Sequence, residues 1–422
     1  MRFAKPFGAF CLLALGMIAV PPVCGAQNEE HLPGLTNIPF QKWMTEGERK
    51  EIPWQVKVYP AALRLHQRLS MRVDVLVKGE SLERMGPVQE LVLIERLADS
   101  DGHWLERHGI GWARVDKPLP SGASLAMTLQ AVVLPGEYTL GLVLYDMVTG
   151  RRSVMRRPVH VPGLHNDPLP DAFRNLPRVE FLQTFQGPGV GPRASVSSRL
   201  WLPVNTRRAV RIEVLVNFSP SEEFTGSKWF DQFNVGTMLT LLSVLSQLDV
   251  HNGSLRVTGL DLMRRRVVFE QDHVQELEWG RLIKTLRESN PQVVDKNVLE
   301  GRKQNAAFFR EEMVRRLAEG AHPPGEATGD NGSPGAGEAP LRVLLVVSSA
   351  MLFPRGADLA PLLRMEHSQI RVYHLRYQVG PANLYDELHR ILKPLGPRTF
   401  TMDSAMDVRR ALGEILRELR KL

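Results

Sequence analysis

Cysteine is almost missing from this chain: there are two, Cys11 and Cys24. Both fall within the first 26 residues, a stretch that reads as a removable leader. A chain trimmed there keeps no thiol, which excludes disulfides, thiolate nucleophiles and zinc–thiolate sites together. Long apolar runs are also missing. The run Phe10–Val20 is about 11 residues, whereas a spanning helix needs about 20. No later stretch is long and apolar enough to cross a membrane. Several catalytic signatures are missing too: there is no Gly-x-Ser-x-Gly elbow, no His-Glu-x-x-His and no phosphate-binding loop. One-sided charge is small. The formal net charge is +7, and losing Arg2 and Lys5 with the leader leaves +5, because that stretch holds no acid. Basic and acidic residues mix along the chain, so a nucleic-acid footprint is not expected.

The leader itself has three parts. Arg2 and Lys5 form a basic start, Phe10–Val20 an apolar middle, and Pro21-Pro22 then Cys24-Gly25-Ala26 a small-residue exit. The pattern predicts a signal peptide over residues 1–26, cut after Ala26, and a mature protein that is secreted or periplasmic. A lipoprotein acylated at Cys24 ranks second, because Val23 is large for the position before it.

Residues 27–52 read as an exposed lead-in, with Trp43 and Trp54 pinning it to the next unit. Residues 53–163 read as an all-β, immunoglobulin-like sandwich. Short apolar runs recur at 55–59, 71–77, 91–94, 125–133, 138–144 and 154–161. Turn residues such as Lys78-Gly79, Pro135-Gly136 and Thr149-Gly150 punctuate them. Leu134-Pro-Gly-Glu-Tyr138-Thr-Leu140 resembles a tyrosine corner, with Leu140 at an inward position. Residues 164–208 are a linker rich in proline and glycine.

From 209 to 422 the pattern alternates strand and helix. Apolar runs at 210–216, 255–262, 267–270, 341–347, 370–375 and 399–402 predict strands. The stretches 235–248, 274–287, 298–319, 382–392 and the segment after Ser404 predict helices. Residues 320–340 are a low-complexity loop. The expected fold class is an α/β doubly wound, mostly parallel sheet with one antiparallel edge strand.

That order, with its hairpin after the first helix, resembles the von Willebrand factor type A domain. The family's metal site opens with Asp-x-Ser-x-Ser after the first strand; here the place reads Asn217-Phe218-Ser219-Pro220-Ser221. The family's second acidic position follows the fourth strand; here that strand ends in Ser348-Ser349-Ala350. A sandwich joined to such a domain also resembles exported bacterial proteins of the type A-related group. The resemblance implies a docking rim at the strand ends, formed by Asn217, Ser219, Ser221, Ser348, Ser349 and Met351. A hard divalent cation wants anionic oxygens, and asparagine and serine offer neutral ones. No cofactor is therefore expected, and Asn217, Ser219 and Ser221 leave room only for a weak magnesium or calcium ion.

Other constellations read as surface. His103, Glu106 and His108 have metal-ligand chemistry but not helical zinc spacing. Asp386-Glu387 and the acids at 414–418 read as charged helix faces. The expected function is a non-catalytic adhesion or assembly protein whose rim binds another protein or an extracellular macromolecule. The alternatives are an α/β hydrolase-like enzyme using Ser348 or Ser349, which requires a histidine and an acid nearby, and a purely structural envelope component.

Overall fold

The computed structural model describes residues 38–187, 190–195, 198–219, 228–289, 296–319, 340–360, 362, 370–377 and 386–422. The leader, Ser221 and nearly all of the low-complexity loop lie outside these residues. Among the described residues no helix is long and apolar enough to cross a membrane.

Strict alternation builds the first half. Along Leu69–Lys78 every second residue, Leu69, Met71, Val73, Val75 and Val77, is buried, so one face is wholly apolar. This strand joins Gln55–Leu63, Ser124–Val133 and Val179–Phe181 in a four-stranded antiparallel sheet. A five-stranded antiparallel sheet runs in the order Arg49–Lys50, Arg152–Val161, Gly136–Asp146, Gln89–Ala98, Trp104–Val115. Met71, Val73, Leu91, Leu93, Leu140 and Leu142 belong to the core shared by the two sheets. At the corner, the Tyr138 hydroxyl donates to the Leu134 carbonyl at 3.0 Å, which ties the strand's entry to the loop before it.

The lead-in is partly built into this half. Phe40–Glu46 is a helix. Its Phe40, Trp43 and Met44 are buried with Val92, Ile94, Val143 and Val154 of the five-stranded sheet. Phe40 meets Trp104 edge-on at 5.3 Å between centroids, and the Arg152 guanidinium lies 4.7 Å from the Trp43 ring. The reading of 27–52 as exposed is thus corrected at this helix: bulky apolar side chains three and four apart make an inward stripe. The expected linker is also structured. It supplies the strand Val179–Phe181, an antiparallel pair Gln183–Gly187 and Val190–Ser195, and the short strand Leu202–Val204, parallel to Leu248–Val250.

The second half holds a mixed six-stranded sheet. Its order is Arg266–Gln271, Gly253–Asp261, Val210–Asn217, Leu341–Ser349, Ile370–Tyr377, Arg398–Met402. The first pairing is antiparallel and the others are parallel. Helices Lys228–Leu245 and Ala405–Leu419 bury Met238, Leu242, Leu412 and Ile415 against one face. Helices Asn305–Glu319 and Glu387–Leu392 bury Phe309, Met313, Leu388 and Ile391 against the other. The predicted helix 298–319 is broken, into Lys296–Gly301 and Asn305–Glu319 with a tighter turn between. At Gly253, φ is +148° and an added Cβ would stand 1.7 Å from the Val210 carbonyl oxygen. Only glycine allows that approach.

The expected fold class is corrected. Among the described residues strand makes up 41% and helix 27%, so they are mostly β, with antiparallel and sandwich-like sheets, and not a doubly wound parallel-sheet fold of the type A kind. The physical reason is that alternating segments are not confined to the region before residue 163. They continue through the linker, and the antiparallel ladders they form outweigh the strand–helix crossovers.

The sandwich and the connecting segment are both tied to the last helix. Gln67, at φ +61°, donates from Nε2 to the Ala405 carbonyl at 3.0 Å. Arg409, fully buried, donates to both oxygens of Asp167 at 2.6 and 2.8 Å and to the Leu169 carbonyl at 2.9 Å. Its guanidinium also lies 4.6 Å from the Phe173 ring centroid.

Candidate functional site

The residues expected at the strand-end rim lie where the strands end, but inside the protein. Asn217, Ser219, Ser348, Ser349 and Met351 are 2, 0, 0, 7 and 3% exposed. Ser221 lies outside the described residues. The expectation of direct contact between these side chains and a partner is therefore corrected: each described one is enclosed by protein.

Two polar groups form there. In the first, the Asn217 side chain closes a local turn. Its Oδ1 accepts from the Ser219 amide at 3.0 Å, and its Nδ2 donates to the Ser219 carbonyl and to the Met351 sulfur, both at 3.3 Å. Ser219 Oγ donates to Asp261 Oδ1 at 2.9 Å and accepts from the Met263 amide at 3.1 Å. Asp261 ends the strand Gly253–Asp261 and is buried. The absence of a carboxylate inferred from the local motif is thus corrected, because the neighbouring strand supplies one. That carboxylate is already neutralised: Arg264 donates to Asp261 from its amide to Oδ1 and from Nη1 to Oδ2, both at 3.2 Å. A guanidinium occupies the role that a hard cation would otherwise fill.

The second group was not legible in the motif. Ser348 Oγ lies 3.1 Å from His374 Nε2, and Asp386 Oδ2 lies 3.7 Å from the same nitrogen. His374 is fully buried in the strand Ile370–Tyr377, and Asp386 is the N-cap of Glu387–Leu392. Asp386 Oδ1 accepts from the amides of Met351 and Leu388, both at 3.2 Å. The reading of Asp386 as part of a charged, exposed helix face is corrected by its burial. Its Oδ2, together with His374 Nδ1 and Ser349 Oγ, has no hydrogen-bond partner among the described residues. Burial, then the nearby His389 and Arg376 charges, push the His374 pKa down to about 3. Burial pushes the Asp386 carboxyl up, against the Met351 amide that holds it down.

This arrangement contains serine, histidine and acid, but not as a hydrolytic relay. In such a relay the acid orients the nitrogen opposite the one that faces serine. Here Ser348 Oγ and Asp386 Oδ2 both address Nε2, Nδ1 has no partner among the described residues, and Ser348 is sealed from solvent.

Above these groups runs the segment 350–360. Its base is fixed: Phe353 donates to Glu387 Oε2 at 2.5 Å, and the Glu387 amide donates to the Met351 carbonyl at 2.9 Å. Met351 and Phe353 turn into the core. Arg355, Gly356 and Asp358 are exposed, and Arg310 reaches Asp358 at 2.8 Å.

In the sandwich, Asp99, Asp101 and His103 are the group of three metal-capable side chains found among the described residues. Asp99 Oδ1 accepts from the amides of Asp101 and His103 at 3.0 and 2.9 Å, which is an ordinary turn. Elsewhere in this half Glu95 is fully buried, and neither of its oxygens has a partner among the described residues.

No protein-family model matches this chain. No curated protein matches it. Among solved structures, it is similar to an ApaA protein from Bordetella pertussis, at 14% identity and a TM-score of 0.18, over 26% of this chain and 96% of that one. It is also similar to a family 123 glycoside hydrolase from Clostridium perfringens, at 7% identity and a TM-score of 0.27, over 83% and 72% of the two chains. A beta-glucuronidase from Bacteroides uniformis follows, at 11% identity and a TM-score of 0.20, over 87% of this chain and 31% of that one. Likeness at this level assigns neither a family nor an activity.

Proposed function

We propose that this chain is an exported, non-catalytic protein-binding module, which docks its partner through the segment 350–360 at the strand ends. The leader pattern supports export. The observation that carries the docking reading is the contrast within one segment: a base locked by Asp386 and Glu387, and a tip where Arg355 and Asp358 face solvent. A pre-ordered base lowers the entropy lost when a partner orders the tip. The position also suits a partner, because loops at the carboxyl ends of parallel strands border a crevice. Hard cations have no part in this reading, since Arg264 already neutralises Asp261.

The test is capture of an envelope partner by the wild-type chain and by R355E. We expect R355E to lose most of the capture, and the wild type to capture equally with or without added magnesium and calcium. Equal capture by R355E sinks the docking reading; dependence on magnesium or calcium sinks the metal-free one.

The serine-enzyme reading is favoured by one observation, the 3.1 Å contact of Ser348 with His374. Labelling of the folded chain at Ser348 by a fluorophosphonate would establish it over the binding reading. Enclosure of that serine predicts no labelling.

A further inference from the structure

We infer that the sandwich carries, at its end away from the last helix, a binding pocket for a small aromatic zwitterion, an amino acid of the tyrosine kind. The strand Leu69–Lys78 starts beside Gln67, which reaches Ala405, and the pocket opens where that strand ends, at Gly79.

The cavity measures about 300 Å³, a volume that holds a small ligand. Leu82, Val115 and Leu119 line it. The first two are buried in the sandwich core and the third packs against that core, so the floor is apolar. The walls are ordered before any ligand arrives. The helix Gly79–Glu83 is tied to the facing loop by the Gly79 amide, which donates to the Ala123 carbonyl at 2.9 Å. A pre-formed pocket loses little entropy when it fills.

Gln89 sets the chemistry of the occupant. It lines the cavity and is 2% exposed. Its Nε2 donates to the Leu82 carbonyl at 3.0 Å and to the Gly86 carbonyl, which fixes the orientation of the amide. Its Oε1 accepts no hydrogen bond among the described residues, yet it is not among the buried atoms sealed off without a partner. That oxygen therefore faces the cavity. An apolar floor with one acceptor suits an apolar group that carries one donor. A phenol or an indole is such a group, and its O–H or N–H needs a partner when the ring is buried.

The mouth sets the rest. Glu83 and Lys117 line the same cavity, are exposed, and form no ion pair among the described residues. A ligand of single charge suits one of them and opposes the other. A free amino acid suits both, with its ammonium group at Glu83, its carboxylate at Lys117 and its ring reaching down to Gln89. Charges at an exposed mouth are screened, so they add discrimination in small steps.

The test uses the full chain and saturation-transfer difference NMR, which detects weak ligands. The probes are tyrosine, phenylalanine, tyramine and N-acetyltyrosine. We expect tyrosine to bind best. Phenylalanine, which lacks only the phenol hydroxyl, should bind about tenfold more weakly. Tyramine lacks the carboxylate and N-acetyltyrosine the ammonium group, and each should bind a few-fold more weakly. L119W should fill the cavity and abolish binding. K117E should remove the preference for tyrosine over tyramine, and E83K the preference over N-acetyltyrosine. Both rim positions are exposed, so these two variants should keep the wild-type circular dichroism. No transfer to tyrosine, equal binding of tyrosine and phenylalanine, or unchanged preferences in K117E and E83K overturns the assignment. None of these outcomes depends on capture by R355E, which reads the segment 350–360 alone.

Discussion

Glu95 offers the sharpest quantitative test of the sandwich. It sits mid-strand on the face that buries Leu91, Leu93 and Leu97. Its cross-strand neighbours are Gly109 and Leu142, whose side chains offer no donor. Burial alone pushes its pKa from 4.5 up to about 8. Since the folded-state value lies above the unfolded one, folding favours the protonated acid. The stability it contributes is fully present below pH 4.5 and is lost as pH rises towards 8. Each pKa unit is worth about 1.4 kcal/mol, so wild type should lose roughly 3 kcal/mol between pH 5 and pH 8 through this one group. Glutamine keeps the shape and cannot ionise. We therefore expect E95Q to gain on wild type across that interval by roughly the same 3 kcal/mol, whatever its stability at pH 5. Urea unfolding followed by tryptophan fluorescence, at both pH values for both proteins, gives the four numbers needed. Parallel pH profiles for the two chains would show that Glu95 is solvated or paired in solution, and the reasoning would fail.

Other outcomes follow from contacts already described. R409A removes the partner of Asp167 within a buried, bidentate pair, and should cost about 3–5 kcal/mol in chemical unfolding; a change below about 1 kcal/mol would mean the joint is not closed in solution. Y138F deletes one hydroxyl bond to the Leu134 carbonyl and should cost about 1 kcal/mol, read as a lower urea midpoint with unchanged slope. G253A forces a Cβ into the Val210 carbonyl, so it should leave little folded protein on expression; a soluble chain with wild-type circular dichroism would contradict the strand register.

Much of the strand content could be read from pattern. The apolar run at 341–347 becomes the strand Leu341–Ser349, flanked on both sides, and 210–216 becomes Val210–Asn217. The tyrosine at 138 makes the backbone contact that its sequence setting suggests. What pattern misjudged was balance and depth. A linker dense in proline and glycine still contributes strands, because each needs only a few extended residues and one partner strand, in its own pair or at a sheet edge. The site was harder. Asn217 and Ser219 carry a recognisable spacing, but spacing does not reveal that Asp261 comes from the adjacent strand. His374 is one polar residue in the alternating stretch Arg371-Val-Tyr-His-Leu, and its face follows from register, not from identity. Asp386 looks like any acid at the start of a helix. A cap residue and a strand histidine become a pair only through tertiary packing, which a single sequence does not display.

The clasp formed by Gln67 with Ala405 and by Arg409 with Asp167 has a mechanical meaning. Swinging the sandwich away breaks the Gln67–Ala405 bond, and lifting the connecting segment off the last helix tears out a desolvated guanidinium. Whatever touches the sandwich and whatever touches the far sheet are consequently held at a set spacing and angle, as on a ruler. Two weak contacts made at that spacing would reinforce each other, because the chain would have no orientational freedom left to surrender for the second.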